Sequence, residues 1–317
     1  MKHTLLAFLT LVASCSFYFD DPVLTDGPDA GTDAEPGIDA RVEDGVFLAC
    51  GVPTPCPAPS VSSVTVCGYL FDVETGSTIA AAGATGALCD PLAPTDDGPC
   101  ALQVQFYDPL AFAANPAGTS TLNVDAIEVF DCGAFRGIDV TRPFNGFLAV
   151  VTDDAGAADR VAPTAISRPF NPREVATDFR AWSTRAATDQ AWRASAGSPF
   201  GGESFAEHGV HASIFLRNGT PAAGVTLTRG GNVAPADDYY FSDTTPIRST
   251  VDPAAMSTGP NGAGLLVNTA LGNVSGEGGL PLACEWSSQL GTSVPGVVWL
   301  AEQYAHLAGD SGTACPD

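Results

Sequence analysis

Short apolar runs broken by Gly, Pro, Asn and Asp recur from about residue 60 to the C-terminus. The predicted strands are Val64–Phe71, Ala101–Tyr107, Ala126–Phe130, Phe147–Thr152, Ala212–Arg217, Gly224–Thr228, Gly264–Asn268 and Gly296–Ala301. Leu102-Gln103-Val104-Gln105-Phe106 alternates strictly, as a strand with one buried and one wet face should. Many short strands with turn residues between them predict an all-β chain built of sandwiches. One helix is expected, Arg185 to Ser195. Ala187, Ala191 and Ala194 share a face there beside Trp192, and Gly197 is placed to cap the end. Glu174–Thr184 fits two patterns: Val175, Phe179 and Trp182 make a helical stripe, whereas Thr177 and the alternation suit a strand.

The N-terminus follows a different pattern. Lys2 precedes an apolar run, Leu5 to Ala13, too short to span a bilayer and ending in small residues, which reads as a secretory segment. Val12-Ala13-Ser14-Cys15 resembles the lipobox of bacterial lipoproteins. That resemblance implies cleavage after residue 14 and palmitate-type acylation of Cys15. Each buried methylene contributes ~0.8 kcal/mol, so more than one chain anchors stably. Ser16 after the cysteine is similar to lipoproteins resident in the outer membrane, which is the expected address. No twin-arginine pair precedes the run, so Sec-type export is expected. Between Asp20 and Asp44 the chain is Asp-, Gly-, Ala- and Pro-rich, with too little apolar surface to offset ordering entropy. It reads as a tether. Its Asp-Gly pairs lack the alternating ligands and closing Glu of an EF-hand.

Nine cysteines are an odd number, but setting Cys15 aside leaves eight: Cys50, Cys56, Cys67, Cys89, Cys100, Cys132, Cys284 and Cys315. An even set in an exported chain is what a disulfide framework needs. Cys284 and Cys315, the two in the second half, are expected to pair, as are Cys89 and Cys100, which bracket a Pro/Asp/Gly loop. The partners among Cys50, Cys56, Cys67 and Cys132 stay open. The formal charge is −23, and the one lysine, Lys2, leaves with the signal. Such a field repels nucleic acid, so no nucleic-acid partner is expected. Five of the twelve arginines, Arg168, Arg173, Arg180, Arg185 and Arg193, cluster ahead of and within the helix. They are expected to pair with surplus carboxylates rather than form an anion stripe.

Val66-Cys67-Gly68-Tyr69-Leu70-Phe71-Asp72-Val73-Glu74-Thr75-Gly76, continuing to Ala80, resembles the opening of carboxypeptidase regulatory-like domains. Those are transthyretin-like β-sandwiches that begin with a glycine-containing strand, an Asp-x-x-Thr-Gly turn and a small-residue return. Asp131-Cys132-Gly133-Ala134-Phe135-Arg136 resembles their later turn and strand, with Gly133 at a φ > 0 position, and Gly146–Asp153 the strand after it. Ile214–Leu227 and Thr258–Val267 repeat the scheme weakly. Long insertions at Gly83–Cys100 and Gly230–Thr250 depart from it. The whole layout is similar to the lipoproteins of myxobacteria, and this resemblance carries no chemistry.

No catalytic set is expected. Gly309-Asp310-Ser311-Gly312 matches the serine-protease nucleophile signature, but five residues remain after it and no Ala-Ala-His-Cys segment precedes it. Glu207-His208-Gly209-Val210-His211 places two histidines three apart, on opposite faces of a strand, which does not suit zinc. No Cys-x-x-Cys, P-loop or dinucleotide fingerprint occurs, so no metal and no cofactor is expected. The candidate ligand-binding run is Asp237, Asp238, Tyr239 and Tyr240, carboxylates beside aromatics, which an edge strand with packed aromatics would also produce. The expected organisation is a signal over 1–14, lipidated Cys15 and tether over 15–59, a first sandwich over 60–184, a linking helix over 185–197 and a second sandwich over 198–317. The expected function is a non-enzymatic, membrane-anchored envelope or surface module with a protein or glycan partner. The alternative is a carbohydrate- or calcium-binding surface protein.

Overall fold

The computed structural model describes residues 45–60, 62–90, 98–142, 146–153, 161–168, 176–196, 209–233, 238–244, 246–267 and 269–316. The signal, Cys15 and the acidic stretch from Asp20 to Asp44 lie outside the described residues, as do Asp237 and His208. All described elements belong to one unit, Arg41–Asp317.

The first half of the chain contributes β1 (Gly45–Ala49), β2 (Val52–Cys56), β3 (Ser63–Asp72), β4 (Leu102–Tyr107), the short helix α1 (Pro109–Ala114), β5 (Ala126–Val129), β6 (Ala134–Thr141), β7 (Phe147–Asp153), β8 (Val161–Ala162), β9 (Thr164–Arg168) and β10 (Ala176–Arg185). Then come α2 (Ala186–Ala196), β11 (Val210–Arg217), β12 (Thr220–Pro221), β13 (Thr226–Arg229), β14 (Asn232–Val233), β15 (Asp238–Phe241) and β16 (Val251–Asp252). The chain finishes with β17 (Ala263–Val267), β18 (Gly272–Glu277), β19 (Cys284–Trp286), β20 (Gln289–Gly291), β21 (Val298–Leu307) and β22 (Asp310–Ala314).

These strands form an all-β protein of several packed sheets. A five-stranded sheet runs β5-β6-β3-β10-β8, and a four-stranded one β14-β13-β18-β20. Between them in the packing lies the longest sheet, β16-β15-β17-β11-β21-β9-β7-β4, with β12, β19 and β22 attached beside it. Strands from both 60–184 and 198–317 contribute to that sheet. Its middle strands are covered on both faces. Val210, Ala212, Ile214 and Leu216 of β11 enter the core shared with the five-stranded sheet, whereas Phe215 enters the core under the four-stranded one. Leu265 and Leu266 of β17 divide the same way. Double burial explains why β17 reads as a continuous apolar run, and why β11, which alternates through His211 and Ser213, buries those polar side chains as well.

The main core is aromatic at its centre. Phe106 meets Phe147 edge-to-face at 5.3 Å, and Phe135 meets Phe179 at 6.1 Å. Each such ring buried contributes ~1.5–3 kcal/mol. The ambiguous stretch before the helix is the strand β10, paired parallel to β3 along Phe179–Gly68 to Ser183–Asp72. Gly68 is required there, because a Cβ would fall 1.8 Å from the Phe179 carbonyl oxygen. Gly133 has φ 81°, as its turn demands, and a Cβ would sit 1.9 Å from the Ile79 oxygen.

Residues 45–56, read from the sequence as the end of the tether, are instead the β1–β2 hairpin. Phe47, Ala49 and Cys56 bury one face of it against Cys67 and Ala134. The proline pair within β2 disguised it as linker. Four disulfides join Cys50 to Cys132, Cys56 to Cys67, Cys89 to Cys100 and Cys284 to Cys315.

Candidate functional site

A cleft of about 710 Å³ opens at one end of the main core. Its wall comes from the turn after β3, from the ends of β4 and β7, and from the junction of β10 with α2. Asp72 closes that turn: its Oδ1 accepts from the Thr75 backbone N at 2.9 Å and from Thr75 Oγ1 at 3.2 Å. Its Oδ2 accepts from Arg185 Nε at 2.5 Å. The hydrogen bond to Asp72 raises the Arg185 pKa, burial opposes it, and the charges of Asp72 and Glu74 add to the rise. Glu74 accepts from Thr188 Oγ1 at 2.6 Å, tying the turn to the first turn of α2. Arg185 is 53% exposed, so solvent screens this pair and it adds little stability. Asp153, across the cleft, accepts from Val161 N at 2.9 Å.

Every charge in the cleft described so far is already held by a neighbour, and among the described lining residues no histidine stands beside a hydroxyl. The arrangement can seat a small polar molecule; it does not assemble a nucleophile with a base. The sequence signalled half of it, through the Asp-x-x-Thr-Gly turn. Arg185 was expected to pair with a carboxylate, but the sequence did not say that Asp72 is the one.

The predicted ligand run is placed differently. Tyr240 is fully buried; its hydroxyl donates to Asp238 Oδ2 at 2.6 Å and accepts from Leu227 N at 2.9 Å. Burial raises its pKa, with the Asp238 carboxylate adding to the rise. Tyr239 is buried in the main core. Neither ring presents a face to solvent, so neither can stack on a sugar.

His211 is the second residue of β11, fully buried, with Nε2 2.9 Å from Ser213 Oγ and Nδ1 unpartnered among the described residues. Burial drives its pKa down to about 3. Ser213 is also fully buried, so this pair cannot meet a substrate. Ser311 is exposed on the last hairpin, where Asp310 accepts from Thr313 Oγ1 at 2.7 Å. His306 Nδ1 bonds the Leu307 carbonyl at 3.0 Å. Cys50, Asp131 and Cys132 converge, but the two sulfurs are in a disulfide and offer no thiolate to a metal. Asp131 instead accepts from Thr85 N, Thr85 Oγ1 and Gly86 N, and the backbone bond from Thr85 is the largest cause of its lowered pKa. Of the clustered arginines, Arg180 lies 3.3 Å from Glu302 and Arg185 pairs with Asp72, as expected for a carboxylate-rich chain.

No protein-family model and no curated protein matches the chain. A solved structure of the shaft pilin SpaA from Lactobacillus rhamnosus GG, a double mutant, is similar over 78% of this chain and 98% of its own, at 9% identity. Its TM-score is 0.20, and no argument rests on it.

Proposed function

We propose that this protein is an exported, membrane-anchored lipoprotein that serves as a non-enzymatic interaction or scaffold module of the cell envelope. One observation carries the reading. Eight of the nine cysteines are joined in four disulfides, and the ninth is Cys15, at the end of the secretory segment. Four disulfides suit an oxidising compartment outside the cytoplasm. A thiol outside that framework, set after small residues, is the acceptor a lipid anchor uses, and Ser16 favours the outer membrane. The tether then separates the folded part from the bilayer, and a packed, cross-linked β body with self-satisfied charges suits holding a partner rather than turning over a substrate.

The test is metabolic labelling with radioactive palmitate and fractionation of membranes. Label on the wild-type chain, lost together with membrane association in Cys15→Ala, is the expected outcome. An unlabelled wild-type chain recovered in the soluble fraction defeats the proposal.

A further inference from the structure

The two edges of the β1–β2 hairpin are built differently. Leu48 faces Pro53 and Val46 faces Pro55 in its antiparallel ladder. An opposed pair that exchanges both N–H···O bonds needs an N–H on each side, and proline has none. These are therefore the non-hydrogen-bonded pairs, and Phe47–Thr54 is a bonded one. The backbone N–H and C=O groups of Val46 and Leu48 accordingly point away from β2, along the outer edge of β1. The matching positions on the outer edge of β2 are Pro53 and Pro55, which offer no donor and blunt that edge.

β1 carries no such protection. Gly45-Val46-Phe47-Leu48-Ala49 has neither proline nor charge, and among the described residues no strand pairs with its outer edge. Val46 and Leu48 are 63% and 56% exposed. The hairpin is also fixed in place: Phe47 and Ala49 bury its inner face, and the Cys50–Cys132 and Cys56–Cys67 bonds secure it. An edge that no described strand pairs with, on a hairpin held by two cross-links, is a preformed template for strand addition.

We propose that the outer edge of β1 receives an extended segment of a partner protein as a third strand. That segment carries apolar side chains at alternate positions, to lie beside Val46 and Leu48, and basic residues between them. The inference rests on the reading of the chain as an interaction module. Charge selects the basic character, because a chain of formal charge −23 repels an acidic segment and draws in a cationic one. Area argues against a second copy. A five-residue strand is about 17 Å long, and pairing two of them falls well short of the ~1,200–2,000 Å² that a stable interface buries. An extended segment needs less, since main-chain hydrogen bonds supply its affinity and alternate side chains its specificity.

The test uses the full chain with disulfides intact and residue-resolved amide hydrogen exchange. The probe is a nine-residue peptide alternating valine and lysine. In excess peptide, exchange at Val46 and Leu48 is expected to slow about tenfold, and a peptide with glutamate for lysine has no such effect. Leu48→Lys is expected to abolish the slowing while the Phe47 amide, bonded within the hairpin, stays protected, which shows that the variant still folds. Unchanged exchange at Val46 and Leu48 in excess peptide overturns the proposal. So does protection that rises with protein concentration alone, which assigns the edge to a second copy, or protection by phosphatidylcholine vesicles alone, which assigns it to lipid. Palmitate labelling reports on the anchor and exchange on the edge, so either can fail without the other.

Discussion

Lowering the pH from 7.5 to 5.0 should destabilise this protein through a single buried imidazole. His211 lies in the middle of the longest sheet with its Nδ1 unpartnered among the described residues, and burial holds its pKa near 3, against 6.5 for a free histidine. A folded-state pKa below the unfolded one means that the unfolded chain takes up a proton that the native chain refuses. The cost is absent above pH 6.5 and grows as pH falls toward 3. At about 1.36 kcal/mol per pH unit, the loss at pH 5 is about 2 kcal/mol. Asp131 and Asp139, whose hydrogen bonds lower their pKa values, do not interfere. Their stabilisation is present above the ordinary carboxylate range and is lost only as pH falls below it. Equilibrium urea unfolding at the two pH values, on wild type and His211→Gln, isolates the effect, since the net-charge change is common to both. Wild type should lose about 2 kcal/mol more than the variant. Equal losses in the two proteins would refute the reasoning.

Replacing Cys50 and Cys132 with alanine frees a separation of 82 residues, against 11 for Cys56 and Cys67. The loop-entropy model puts the costs at about 4.5 and about 2.8 kcal/mol, and calorimetric melting should show the larger fall for the first pair. Phe147→Ala removes a ring that touches both Phe106 and Phe179, and should cost ~3–5 kcal/mol by denaturant titration. Gly133→Ala should lower the melting temperature by several degrees, because it combines a clash with the Ile79 oxygen and a left-handed φ. Pulled from its two ends, the oxidised chain should extend less than the reduced chain by the loops that Cys50–Cys132 and Cys284–Cys315 close; equal extensions would contradict that pairing.

Strand positions were legible in the sequence because turn residues punctuate them. Ala126–Phe130 and Phe147–Thr152 differ from the observed strands by a single residue at one end. The weak internal repeat has a structural counterpart. β3 is flanked by antiparallel β6 and parallel β10, and β11 by antiparallel β17 and parallel β21. What the sequence did not disclose is long-range. Nothing local tells that β9 pairs with β21, because their side-chain pattern suits any doubly covered parallel strand. Val52-Pro53-Thr54-Pro55-Cys56 looked like linker because prolines argue against a strand, yet an edge strand tolerates them on its outward side. The candidate ligand run shows a similar limit of local pattern: carboxylates beside aromatics describe an exposed cleft and a packed strand equally, and the burial of Tyr239 and Tyr240 is not written in the sequence.

The placement of the cross-links fits a body held from its N-terminus. Three of the four disulfides lie in the first half, and two of them flank or enter the β1–β2 hairpin. Were Cys15 fixed in a bilayer, a pull on the folded part would enter at Gly45. A two-stranded hairpin is marginal by itself in water and would peel under load. Only β1 can peel here before Cys50 passes the force to Cys132, at the turn that leads into β6. β2 and the Cys56–Cys67 bond lie inside the loop that Cys50–Cys132 closes, so the pull would bypass them. Force would thus pass through a covalent bond to the turn that leads into β6, leaving β1 as the one strand of the hairpin exposed to it. In a free secreted domain the same bond would stabilise the fold, but nothing would require it at the point where the chain enters it.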